Sequence, residues 1–140
     1  MVVSAPRDVR ALLERTRTIA VVGASPRPGR PSHRVFRALH GDARFAVTPI
    51  RPAVAEVAGV RAYPTLAAYA ADAGAPDLVD VFRAPEYAAA VTREAIAVGA
   101  RAIWYQLGVA SDEAIALAEA AGLDVVVERC LMVDAALLGA

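Results

Sequence analysis

Residues 21–35, VVGASPRPGRPSHRV, pass from an apolar run through a glycine into a pattern that reads as helix. The run from Thr18 to Val22 precedes Gly23 and helical periodicity resumes near Ser32, so the stretch joins a strand to a helix. In α/β proteins such connections hold anions, because the free N–H groups of the helix start face the ligand. A G-x-G-x-x-G fingerprint would need glycine at positions 25 and 28, where this chain has Ser25 and Pro28, so only Gly23 is in place.

The same alternation continues outward from this loop. Apolar runs predict strands at 18–22, 45–48, 60–63, 78–82, 102–105 and 124–127. Helical patterns fall at 6–16, 32–40, 65–71, 85–98 and 111–121. The first helix has Ser4 as its expected cap and places Val9, Leu12 and Leu13 on one face. Gly99 and Gly122 follow helical patterns where a left-handed cap is wanted. The runs IAVV, LVDVF, AIWY and DVVV are nearly continuous in apolar character, as parallel strands covered on both faces are. The expected fold is α/β, a three-layer doubly wound Rossmann-like domain with a mainly parallel sheet of five to six strands. Its expected strand order is 3-2-1-4-5 with a sixth strand added, and the domain spans 1–140 with the helix of 1–16 packed on it. Ligands in such sheets bind at the carboxyl ends of the strands, beside the point where the order reverses.

Composition narrows the function classes. A chain of 140 residues has the size of one ordinary domain. Hydrophobic residues make up 57% of it, in short separate runs that fall below the length of a membrane span. The N-terminal stretch carries acids and no continuous apolar core, so neither a signal nor a transit peptide is expected and a cytoplasmic location is the default. Cys130 is the lone cysteine and His33 and His40 the only histidines, so no structural metal site is expected. Fifteen basic and fifteen acidic residues cancel, which argues against a general nucleic-acid or membrane-surface protein. Every basic residue is arginine, and four of them (Arg27, Arg30, Arg34 and Arg37) lie between Ala24 and Ala38 with no acid among them.

The strand ends carry Gly23-Ala24-Ser25, Pro49-Ile50-Arg51-Pro52, Arg83-Ala84-Pro85, Gln106-Leu107-Gly108 and Glu128-Arg129-Cys130. They supply no Ser-His-Asp set, no converging carboxylates and no metal cluster, and the absence of lysine excludes a Walker-type NTPase. They do supply anion binding. Gly23 permits a tight turn and close approach of a phosphate, Ser25 offers a hydroxyl, and Ser32 is the expected cap of the following helix. The acid-free loop bearing Arg27 and Arg30 adds charge. At the second strand end a NAD-binding fold places Asp or Glu against the ribose hydroxyls, whereas this chain has Arg51 between Pro49 and Pro52. Arginine holds a phosphorylated ribose through a forked contact, which leaves NADP or coenzyme A. His33 is equally compatible with a phosphate contact and with a solvent-facing place on the first turn. Gln106 is an expected ligand contact, and Trp104 and Tyr105 are expected to pack in the sheet. Cys130 reads as a small buried thiol or, beside Arg129, as a reactive one. Asp80, inside an apolar strand, is expected to find a local hydrogen-bond partner.

The run VVGASPRPGRPSHRV, with PIRP, DVFRAP, WYQLG and ERCLMV following in that order, resembles the small bacterial CoA-binding proteins. Their Rossmann-like domain is similar to that of the succinyl-CoA synthetase alpha subunit, and the resemblance covers roughly residues 16–137. It implies coenzyme A or an acyl-CoA as ligand, with the pyrophosphate at Gly23, Ser25 and the start of the Ser32 helix and the adenosine phosphate near Arg51. The rest of the crevice is then formed by Phe82, Arg83, Gln106 and Gly108. Two positions depart from the family pattern: P-V-N-P is replaced by Pro49-Ile50-Arg51-Pro52, and the Glu-His after the cysteine by Asp134-Ala135. The synthetases' phosphohistidine domain has no counterpart, so ligase activity is not transferred and no catalytic residue is expected. The expected function is binding of CoA without catalysis. An NADP-dependent oxidoreductase and a ligand-free interaction module with a protein partner or second copy are the alternatives.

Overall fold

A computed structural model describes residues 1–139. Five parallel strands form the sheet: β1 (Thr18–Val22), β2 (Ala46–Ile50), β5 (Leu78–Val81), β6 (Ala102–Tyr105) and β7 (Asp124–Val127), in the order β2-β1-β5-β6-β7. The helices are α1 (Pro6–Glu14), α2 (Pro31–His40), α3 (Leu66–Ala73), α4 (Ala88–Ala97), α5 (Asp112–Ala120) and α6 (Leu131–Gly139). A two-stranded antiparallel hairpin, β3 (Glu56–Val57) with β4 (Val60–Arg61), stands apart from the main sheet. The chain is therefore the expected doubly wound α/β fold with a five-stranded parallel sheet.

The strands are buried on both faces, and their side chains divide with a period of two. Ile19, Val21, Trp104 and Val126 face α1, α2 and α6. Ala20, Val22, Val79, Val81, Ile103 and Tyr105 face α3, α4 and α5. Trp104 and Tyr105 are fully buried, as packing residues on opposite faces. The Trp104 indole donates to the Arg129 carbonyl at 2.8 Å and the Tyr105 hydroxyl to that of Ala114 at 3.3 Å, so neither polar tip is stranded. The third expected strand, 60–63, joins the sheet only through a parallel bridge between Ile50 and Tyr63. Gly59, with a φ of 79°, turns the chain back one residue before it, and the segment pairs with Glu56 and Val57 instead.

Caps account for several boundaries. Thr65 and Ser111 accept from the N–H groups of Ala68 and Ala114, each at 3.1 Å, and start α3 and α5. Gly99 and Gly122 hold φ values of 80° and 82° after α4 and α5, as expected of C-terminal caps. The first helix is not capped by Ser4. Ala5 occupies that place without a side-chain bond, because Pro6 is preset for the first helical position and fixes the start.

Helix α6 is an element that the sequence pattern does not predict. Its sequence, LMVDAALLG, is apolar nearly all round and lacks the polar face that marks an amphipathic helix. It nevertheless docks against α1 and α2 through the fully buried Leu131 and through Ala135. Leu131→Ala is expected to lower stability by about 2–5 kcal/mol in urea unfolding, the range for a core leucine. A loss comparable to that of a surface substitution would show that α6 is not part of the core.

Candidate functional site

The order reverses between β1 and β5, and the carboxyl ends of these two strands meet around Gly23. Gly23 donates its N–H to the Ile50 carbonyl at 2.9 Å, while Phe82 donates to the Val22 carbonyl at 2.8 Å, so the ladders on both sides extend into the loops. Gly23 has a φ of 91°, and a Cβ placed on it would lie 2.3 Å from the Phe82 carbonyl oxygen. Only glycine meets both demands.

Beyond Gly23 the loop closes on itself. The Ser25 N–H donates to the Ser32 hydroxyl at 3.0 Å, and the Arg27 N–H donates to the Ser25 hydroxyl at 3.1 Å. Ser32 is thus not the helix cap. Arg30 holds that place without a side-chain bond, because Pro31 fits the first helical position, and Ser32 lies inside the first turn, reaching back to Ser25. His33 is not on the solvent side. It is buried, and its Nδ1 donates to the Ser25 carbonyl at 2.8 Å, since a carbonyl can only accept. Three side chains therefore fix the loop's shape, and the guanidinium groups of Arg27 and Arg30 stay exposed on it.

Two cavities open at this edge and share Arg51 and Pro52. One, about 620 Å³, is bounded by Ser25, Arg27, Arg30 and Ser32 and continues to Ala53 and Val54. It contains no acidic side chain among its lining residues. The other, about 490 Å³, lies over Val22, Gly23 and Ile50, with Pro64, Thr65, Leu66, Arg83 and Glu94 around it. Arg51 is held at the junction: its N–H donates to the Tyr63 carbonyl at 2.8 Å, and its Nη1 donates to the Gly23 carbonyl at 3.2 Å. The Arg83 guanidinium lies 4.5 Å from the centre of the Tyr87 ring.

Of the expected site residues, Gly23, Ser25, Arg27, Arg30, Ser32, Arg51, Pro52 and Arg83 line these cavities. Ala24 and Pro49 are buried beneath them. Phe82 packs against the core, with its backbone touching Gly23. Gln106 does not line either cavity. It is buried and donates to Asp80 Oδ1 at 2.6 Å, which supplies the expected partner for that carboxyl. Gly108, outside both cavities, donates its N–H to Glu128 Oε1 at 3.0 Å. Arg129 is committed elsewhere: its guanidinium grips Asp134 with two bonds of 2.8 and 2.7 Å and borders a separate groove between α1 and α6. Its charge is met by Asp134, and Cys130 is partly buried at the start of α6. Pro64, Thr65, Leu66 and Glu94 also line the second cavity and are not among the expected site residues. A cap at Thr65 is readable in the sequence, but nothing there announces that α4 brings Glu94 to the same cavity.

Asp80 is fully buried, and its Oδ2 has no hydrogen-bond partner. Burial pushes its pKa up to about 7, and the Gln106 hydrogen bond offsets part of that rise.

A doubly wound parallel sheet with a glycine turn at its switch point and an arginine-lined, acid-free cavity beside it defines a Rossmann-like α/β domain. Residues 17–136 match the model of the CoA binding domain family, and the chain belongs to that family. It is 34% identical over 126 residues to YneT of Bacillus subtilis, covering 90% of each chain. A solved protein of Pyrococcus horikoshii is 33% identical, with a TM-score of 0.88 over 98% of this chain and 94% of that one. One from Thermus thermophilus is likewise 33% identical, with a TM-score of 0.86 over 96% and 99%.

Proposed function

We propose that the chain binds coenzyme A or an acyl-CoA at the carboxyl edge of the sheet and performs no catalysis of its own. The observation that carries this reading is Arg51, held by Gly23 and Tyr63 where the two cavities meet. The pyrophosphate occupies the acid-free cavity beside Ser25, Arg27 and Arg30, and the phosphate on the adenosine ribose is met by the Arg51 guanidinium. Membership of the CoA binding domain family supports the same ligand. Arg83 is left to the remainder of the crevice.

Calorimetric titration with CoA, dephospho-CoA and NADP tests this. CoA is expected to bind about tenfold or more tightly than dephospho-CoA, as a charge-assisted contact of roughly 1.5–3 kcal/mol implies. Arg51→Gln is expected to close that gap, and binding should weaken with salt. Equal affinity for CoA and dephospho-CoA in the unaltered chain removes the role given to Arg51. NADP binding without CoA binding favours the oxidoreductase reading, and no response to any of the three favours an interaction module.

A further inference from the structure

The two cavities differ in what they can hold. The one beside Ser25, Arg27 and Arg30 is lined by polar groups and cations with no acid, whereas the one over Val22, Ile50, Pro64 and Leu66 adds apolar walls suited to a flat ring to the cations of Arg51 and Arg83. The second also contains Glu94, the one acidic side chain lining either cavity among the described residues. Glu94 sits on α4, is exposed, and takes part in none of the described ion pairs, although Arg83 lines the same cavity. A carboxylate repels phosphate and accepts hydrogen bonds without donating them. Its presence therefore favours the acid-free cavity for the pyrophosphate and leaves this end for a group with N–H donors.

We infer that Glu94 reads the exocyclic amino group of the bound base, so that the site takes adenine and rejects its deaminated counterpart, hypoxanthine. This rests on the reading of the cleft as a CoA site. Thr65 complements Glu94 in the same cavity: its hydroxyl oxygen accepts from Ala68 at 3.1 Å, which leaves its O–H free to donate. An acceptor and a donor together match the amino group and neighbouring ring nitrogen of adenine. Hypoxanthine presents a carbonyl and an N–H in their place, so its oxygen would face the carboxylate, and a site built for one pattern discriminates against the other.

The test is calorimetry with CoA and with its 6-deamino analogue, which carries hypoxanthine and keeps every phosphate. The unaltered chain is expected to bind CoA at least about tenfold more tightly than the analogue, the order of one charge-assisted hydrogen bond. Glu94→Gln is expected to bring the ratio close to one, because an amide can turn to accept from adenine or donate to hypoxanthine. Glu94→Ala should also reduce the ratio, and the exposed position makes both variants compatible with folding. A ratio near one in the unaltered chain, or a ratio unchanged in both variants, overturns the inference while leaving CoA binding intact. Failure of CoA to bind any of the three chains overturns the reading of the site, and this inference with it.

Discussion

Gly23→Ala is expected to cost about 3 kcal/mol or more and to abolish ligand binding. Two penalties combine at this position. A side chain at a φ of 91° is strained, and its Cβ would lie 2.3 Å from the Phe82 carbonyl oxygen, a backbone atom that cannot swing aside. Relief requires β1 and β5 to move apart at their carboxyl ends, where Gly23 and Phe82 extend the hydrogen-bonded ladders. Gly59→Ala is the control, because Gly59 has a φ of 79° and nothing within 4 Å of the added carbon. Its expected cost is about 1 kcal/mol, the conformational part alone. Urea unfolding of both variants separates the two effects. Equal losses would mean that crowding against Phe82 contributes nothing.

The second large effect is on the pH dependence of stability. Asp80 has its pKa raised from 3.8 to about 7 by burial, so the folded chain keeps the proton over a range in which the unfolded chain has released it. The folded state then binds more protons than the unfolded state between these values. The favourable contribution is complete below pH 3.8 and is lost as pH rises toward about 7. The full span corresponds to at most about 4 kcal/mol. Asp80→Asn removes this titration while keeping an oxygen to accept from Gln106. The unfolding free energy of the variant, measured relative to the original chain, is therefore expected to rise steadily from pH 4 to pH 8. Other titrating groups cancel in that difference. Parallel pH profiles for the two chains would show that Asp80 ionises alike in both states.

These two residues differ in how much of their role is legible in the sequence. Gly23 follows an apolar strand and precedes a helix, which predicts a turn, but the sequence does not reveal that the Phe82 carbonyl lies against its α-carbon. Asp80 interrupts the apolar run LVDVF, which predicts a buried polar group with a partner. That the partner is Gln106 follows from the pairing of β5 with β6, whose register sets Asp80 beside Trp104, two residues before Gln106. Once committed to Asp80, Gln106 no longer stands as a free ligand contact.

Local chemistry was enough for the fold class, because continuous apolar strands alternating with helical patterns admit few arrangements other than a doubly wound sheet. It was also enough to mark the loop as a candidate anion site, since the spacing of glycine, serine and arginine is a property of consecutive residues. The amino-acid sequence by itself therefore determined the α/β architecture and singled out Gly23 and Arg51 at the sheet edge to which the proposed site is assigned. Tertiary structure alone decided the orientation of Ser32 and His33 toward Ser25, the capture of Arg129 by Asp134, the docking of α6 and the arrival of Glu94. The physical reason is common to these cases. Periodicity and propensity act over a few residues, whereas each of these outcomes depends on which side chain first meets a polar or apolar partner once distant elements pack.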